Sequence, residues 1–96
     1  MVIILLSYLK PMAEVELFLE EHKLFLQRYF ADGTFLLAGR KVPRTGGFIL
    51  ARASSLEALQ AIIAEDPFHR EGVAAFEIIE TAPTMAAPSL ASLGLV

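Results

Sequence analysis

The chain opens with an apolar run, Val2 to Leu9, in which only Ser7 interrupts the aliphatic and aromatic side chains. Alternation puts Ile3, Leu5 and Ser7 on one face and Ile4, Leu6 and Tyr8 on the other, which predicts a central strand covered on both sides. Lys10-Pro11 turns the chain. From about Met12 to Phe30 the period changes: Val15, Phe18, Phe25 and Tyr29 recur at steps of three and four, with His22 filling the one gap in the stripe. This predicts one long amphipathic helix, with Glu14 and Glu16 near its start and Lys23 and Arg28 toward its end, as the helix dipole prefers. Ala31-Asp32-Gly33 stops it, glycine being suited to the left-handed conformation that ends helices.

Thr34 to Arg40 reads as a second strand, with Phe35, Leu37 and Gly39 alternating against Thr34, Leu36 and Ala38. The small residues at 38 and 39 leave room for a close neighbour or a ligand. Lys41 to Gly47 is a polar, glycine-rich hairpin loop leading to a third strand over Phe48 to Arg52. A second, shorter helix runs from Ser54 to Asp66. Ser54 and Glu57 have the spacing of a capping box, and Pro67 prevents continuation. Val73 to Glu80 is the fourth strand, with Phe76 and Ile78 opposite Ala75 and Ile79.

The order strand, helix, strand, strand, helix, strand, joined by right-handed crossovers, predicts an α+β ferredoxin-like fold: an antiparallel four-stranded sheet with two helices on one face. The other sheet face is apolar and needs a cover. A second copy packed face to face by a two-fold supplies it, so a homodimer through the open sheet face is expected. Residues 1–82 form the folded domain in this reading. The tail 83–96 has no charged side chain and no clear periodicity, and is expected either to lie along the partner or to fray.

Composition sharpens this picture. Hydrophobic residues make up 55% of the 96 residues, and the mean hydropathy of +0.56 is high for so small a chain. Both agree with apolar surface hidden in an oligomer. A net charge of −3, with the basic residues scattered, gives no field for nucleic acid. There is no cysteine, which removes thiolate chemistry and disulfides and makes a cytoplasmic location the default. No apolar run is long enough to span a membrane.

Two residues stand out chemically. Asp66 and Glu65 sit together at a predicted helix C-terminus, where the dipole disfavours negative charge, so another group should want a carboxylate there. His22 has matching chemistry. At about 1.5 Å per residue the first helix is roughly 28 Å long and the second roughly 16 Å, and setting them antiparallel brings the end of the shorter to about the depth of His22. If they meet, the carboxylate orients the imidazole and fixes its tautomer for general acid or base work. The same pair also serves as a purely structural contact, a buried histidine satisfied by a carboxylate.

Further residues have two readings each. Tyr8 offers a phenolic hydrogen bond to a cleft or packs in the core; Phe68 walls a pocket or plugs the helix end; Arg40 meets an anionic substrate or is a solvated strand-end charge. His69 lies close to Asp66 in sequence, but no ligand pair has helical i, i+4 spacing, so no metal site and no cofactor are expected. Gly46-Gly47 precedes a strand, not a helix, and reads as a turn and not a phosphate loop.

Several stretches together resemble the YCII-related family of the dimeric ferredoxin-like α+β barrel group: His22 with Phe25-Leu26, Ala31-Asp32-Gly33-Thr34-Phe35-Leu36-Leu37-Ala38-Gly39, Gly46-Gly47-Phe48-Ile49-Leu50, and Ala64-Glu65-Asp66-Pro67-Phe68. The resemblance covers the chain to about Ala82. It implies an active site built on His22 and Asp66. Their own chemistry and place in the chain make Tyr8, Gly39, Arg40 and Phe68 the candidates for binding a small-molecule ligand. A relative dehydrochlorinates hydroquinones and muconolactone isomerase is a more distant fold neighbour, which implies lyase- or isomerase-like chemistry on a small, cyclic or aromatic compound. One departure is that Gly39 is followed by Arg40 and Lys41, where family members commonly have proline. The alternative is a non-catalytic dimer that binds a small ligand or another protein.

Overall fold

In the computed structural model, which describes residues 1–96, the opening apolar run is β1, Val2–Tyr8. It is central in the sheet. α1 (Met12–Leu17) and α2 (Leu19–Ala31) follow, then β2 (Phe35–Arg40), β3 (Gly46–Ala51), α3 (Leu56–Ile63), the short α4 (Pro67–Arg70) and β4 (Ala74–Glu80). The strand order is β2-β3-β1-β4 with every neighbouring pair antiparallel, which is the ferredoxin-like arrangement.

The core lies on one face of this sheet. Ile4 and Leu6 from β1, Ile49 and Ala51 from β3, Phe35 from β2 and Ala74 from β4 are buried with Val15, Phe25 and Tyr29 of α1 and α2, and Leu59 and Ile63 of α3. The opposite face carries Ile3, Leu5, Leu37, Leu50 and Ile79, of which Leu37 is 53% and Ile79 37% exposed. β3 starts at Gly46, earlier than the glycine pattern suggested. A Cβ there would stand 1.8 Å from the Leu6 carbonyl oxygen, so only glycine allows β3 to lie this close to β1.

Four local expectations need correction. The first helix is broken at Phe18, whose backbone leaves helical geometry. Phe18, at the break, and Leu19 just after it both pack against the core. The second helix is capped by Ser55, not Ser54: the extended Ser55 accepts from the Ala58 N–H at 3.1 Å. It ends at Ile63, and Asp66 belongs to the next helix.

The fourth correction concerns β2. Register shifts between Phe35 and Leu37, which pair with Ala51 and Leu50. Strict alternation would have kept Phe35 and Leu37 on one face; instead Phe35 is buried and Leu37 is exposed. The irregularity at Leu36 sets Ala38 opposite Ile49 and Arg40 opposite Gly47. A bulge of this kind re-aims the residues beyond it. Here Phe35 and Arg40 both fall on the helix side.

Beyond β4 the chain does not simply fray. Pro88–Leu93 forms a 3-10 turn, and Met85, Leu90 and Leu93 line an apolar groove of about 490 Å³ with Leu36, Leu37 and Leu50. The Arg52 guanidinium donates to the Leu93 carbonyl. No helix is long and apolar enough to cross a membrane.

Candidate functional site

Asp66 is fixed by backbone chemistry before any side chain reaches it. Preceding a proline, it is held extended (φ −71°, ψ 126°), and it caps α4 with Pro67 in the first turn. Its Oδ1 accepts from the Phe68 N–H at 2.9 Å. The carboxylate that looked anomalous at a helix C-terminus is therefore the N-cap of the following helix, where negative charge is favoured. Its neighbour Glu65 is satisfied elsewhere, by the Tyr29 hydroxyl at 2.5 Å and the Arg28 guanidinium at 2.9 Å. Burial, and then the bond to Glu65, push the Tyr29 hydroxyl above its ordinary pKa.

His22 lies in the second turn of α2 and brings Nδ1 to 2.8 Å from the same Asp66 Oδ1. Asp66 is fully buried, and the imidazole side chain is 12% exposed. The phenyl ring of Phe68 stacks on the imidazole with centroids 4.0 Å apart and planes 7° from parallel. One short segment thus sets the ring from two directions. An ionised carboxylate only accepts hydrogen bonds, so with Asp66 in that form the contact calls for a proton on Nδ1 and leaves the Nε2 lone pair free in a neutral ring. The other carboxylate oxygen, Oδ2, is buried without a partner.

His22 forms part of the wall of a cleft of about 470 Å³, between α2 and the β2–β3 end of the sheet. Tyr8, Gly39, Arg40 and Phe68 line the same cleft, while Asp66 stands behind the imidazole. Tyr8 also meets Phe68 edge to face, with ring centroids at 6.1 Å. Two lining residues that sequence reasoning did not select are Lys23 and Arg44. Lys23 directly follows His22, and Arg44 belongs to the loop read only as a hairpin link; neither has a periodic signal.

His69 is exposed and packs edge-on against Phe76, with centroids 5.4 Å apart. No group of three or more His, Cys, Asp or Glu side chains is placed to hold a metal ion. On the outer surface Arg70 pairs with both oxygens of Glu21, at 2.6 and 3.0 Å, tying α4 to α2. That pair holds the Glu21 carboxyl below its ordinary pKa and the Arg70 guanidinium above its own.

Comparison with known proteins adds to this geometry. The model of the YCII-related domain family matches residues 1–82. The fold is similar to that of 5-chloro-2-hydroxyhydroquinone dehydrochlorinase (TftG) from Burkholderia phenoliruptrix, solved in complex with 2,5-dihydroxybenzoquinone. The TM-score is 0.67 at 17% identity, covering 84% of this chain and 93% of the dehydrochlorinase. No curated protein sequence matches the chain.

Proposed function

The chain belongs to the YCII-related domain family, and from that premise we propose that it is a small enzyme using His22 and Asp66 for acid-base chemistry on a small, cyclic or aromatic organic compound. The observation that carries this reading is the 2.8 Å contact between His22 Nδ1 and Asp66 Oδ1 beneath an imidazole that faces a cleft. In this reading Nε2 removes a proton from the bound compound, and Asp66 stabilises the imidazolium that forms. An isomerase returns the proton to another position. A lyase loses a leaving group instead, as the name of the structurally similar dehydrochlorinase describes for that protein. Proton transfer of this kind draws on no cofactor.

The lining suits this role. Tyr8 and Gly39 line the cleft, and Phe68 holds the imidazole plane. A second copy covering the apolar sheet face, where Leu37 is 53% exposed, belongs to the same proposal.

The full burial of Asp66 and its capping of α4 favour a second reading, in which the pair is scaffold in a non-catalytic ligand-binding protein. His22→Ala separates the two. With chlorinated hydroxyhydroquinones and related cyclic compounds in D2O, catalysis is read as substrate loss or ring deuteration. The enzyme reading expects both to vanish in the variant while its melting temperature stays within a few degrees. Undiminished turnover would overturn it; a stability loss above about 1 kcal/mol with no turnover by either protein supports the scaffold.

A further inference from the structure

The cleft that holds His22 is an island of positive charge on an acidic protein. The chain has eleven carboxylates against eight Lys and Arg, yet no carboxylate lines the cleft, while Lys23, Arg40 and Arg44 do. The segment between Asp32 and Glu57 contains no acidic residue and carries Arg40, Lys41, Arg44 and Arg52. The guanidinium groups of Arg40 and Arg44 form no ion pair within the chain; the ion pairs of the fold involve Arg28, Arg70, Lys23 and His22. Even Lys23 has only Glu20 beside it, at 3.8 Å on an open surface.

Backbone structure, not accident of surface composition, brings these charges to the site. The irregularity at Leu36 sets Arg40 opposite Gly47 on the helix side of the sheet, and Gly47 presents no side chain between Arg40 and the hollow. Arg44 follows from the β2–β3 turn, which closes through the Lys41 N–H to the Gly46 carbonyl at 3.0 Å. A guanidinium presents a planar fork of donors that matches a carboxylate. Aliphatic side chains and Phe68 line the cleft with His22, while the hairpin contributes Arg40 and Arg44 and α2 contributes Lys23.

We propose that Arg40 and Arg44, with Lys23, form the specificity-determining rim of this cleft and select a ring compound bearing a carboxylate. The ring would lie toward His22 and the carboxylate would meet the guanidinium groups. The inference rests on the cleft being the substrate site of the acid-base reading, and it adds the charge of the substrate. The volume of about 470 Å³ is in the range of pockets for small-molecule ligands.

The test compares 2,5-dihydroxybenzoate with 2,5-dihydroxybenzamide, which share the ring and differ in charge, by calorimetric titration of the whole chain at low and high salt. The expected result is binding of the carboxylate at least about tenfold tighter than that of the amide, weakening as salt rises. The double variant Arg40→Gln/Arg44→Gln, its fold checked by its melting curve, should lose that preference. Lys10→Gln, a cation outside the cleft, should keep it. Equal binding of the two compounds, an unchanged preference in the double variant, or no carboxylate binding up to millimolar concentration overturns the proposal. His22→Ala distinguishes the two readings: it should retain carboxylate binding even as turnover is lost. Arginine-dependent binding with turnover indifferent to His22 would sink the acid-base reading and leave the anion rim standing.

Discussion

Phe68 supports His22 twice: its ring lies 4.0 Å from the imidazole and nearly parallel to it, and its backbone N–H donates to the carboxylate oxygen that His22 Nδ1 contacts. The position and tilt of the imidazole are thus coupled to the first turn of α4. Replacing Phe68 by Ala removes a fully buried ring and the stack together. The expected cost is about 3–5 kcal/mol, read from the denaturant midpoint. A loss below about 1 kcal/mol would show that the ring contributes little to the core.

Asp66→Asn keeps an acceptor for the α4 cap but removes the charge and puts an amide NH2 in the pocket of the unpartnered Oδ2. The expected stability loss is about 1–3 kcal/mol, the cost of a buried unpaired polar group. If His22 transfers protons as proposed, turnover should fall by about a hundredfold or more, since the imidazolium loses its counter-charge. Stability and rate on one purified variant check both; unaltered turnover would assign Asp66 to scaffolding.

Tyr29 gives the fold an alkaline limit. Its hydroxyl is held neutral by burial and by the bond to Glu65, so its folded pKa lies above its unfolded one. The stabilisation this gives is complete below about pH 10 and is lost as pH rises through the folded value. Melting temperatures between pH 8 and 12 should therefore drop steeply for the native chain and less steeply for Tyr29→Phe. Glu21 is the mirror case, its carboxyl lowered by Arg70: its contribution is present above the ordinary carboxylate range and lost as pH falls through the folded value. Glu21→Gln should flatten the acid limb.

Gly46→Ala tests the glycine whose added methyl would meet the nearest obstacle. The added methyl would stand 1.8 Å from the Leu6 oxygen, and both neighbours are backbone in central pairing, so β1 and β3 must separate. A stability loss above about 3 kcal/mol is expected, in the class of severe local strain, seen as insolubility or a much lowered melting point. A near-native melting curve would mean that the strands can shift apart.

The architecture was readable because its signals are periodic. Alternation in the strands, three-and-four spacing from Val15 to Tyr29, the stop at Gly33, the glycine-rich hairpin and the stop at Pro67 together give the element order and so the ferredoxin-like sheet. What escaped was aperiodic. Nothing in Phe35-Leu36-Leu37 marks where an extra residue enters the ladder, because all three are equally suited to either face. The choice is made by Ala51 and Leu50 across the strand pair. The break at Phe18 was hidden in the same way by three successive apolar residues, Leu17, Phe18 and Leu19.

At the site, Asp66 drew notice for a charge at an apparent helix end, and the fold supplies another origin for it: the cap of α4, a helix too short to leave a pattern. Lys23 and Arg44 were passed over because a lone cation carries no spacing. Their convergence on the cleft depends on the turn of β2 and on the pitch of α2, properties of the folded chain.

The tail has a consequence for how these molecules behave in company. Since Met85, Leu90 and Leu93 lean over Leu36, Leu37 and Leu50, any neighbour seeking the bare side of the sheet must share that ground with the protein's own end or push it aside. Clipping the chain after Ala82 should then make it stickier, with a sedimentation coefficient that climbs with concentration. The terminal segment would act as a brake on crowding.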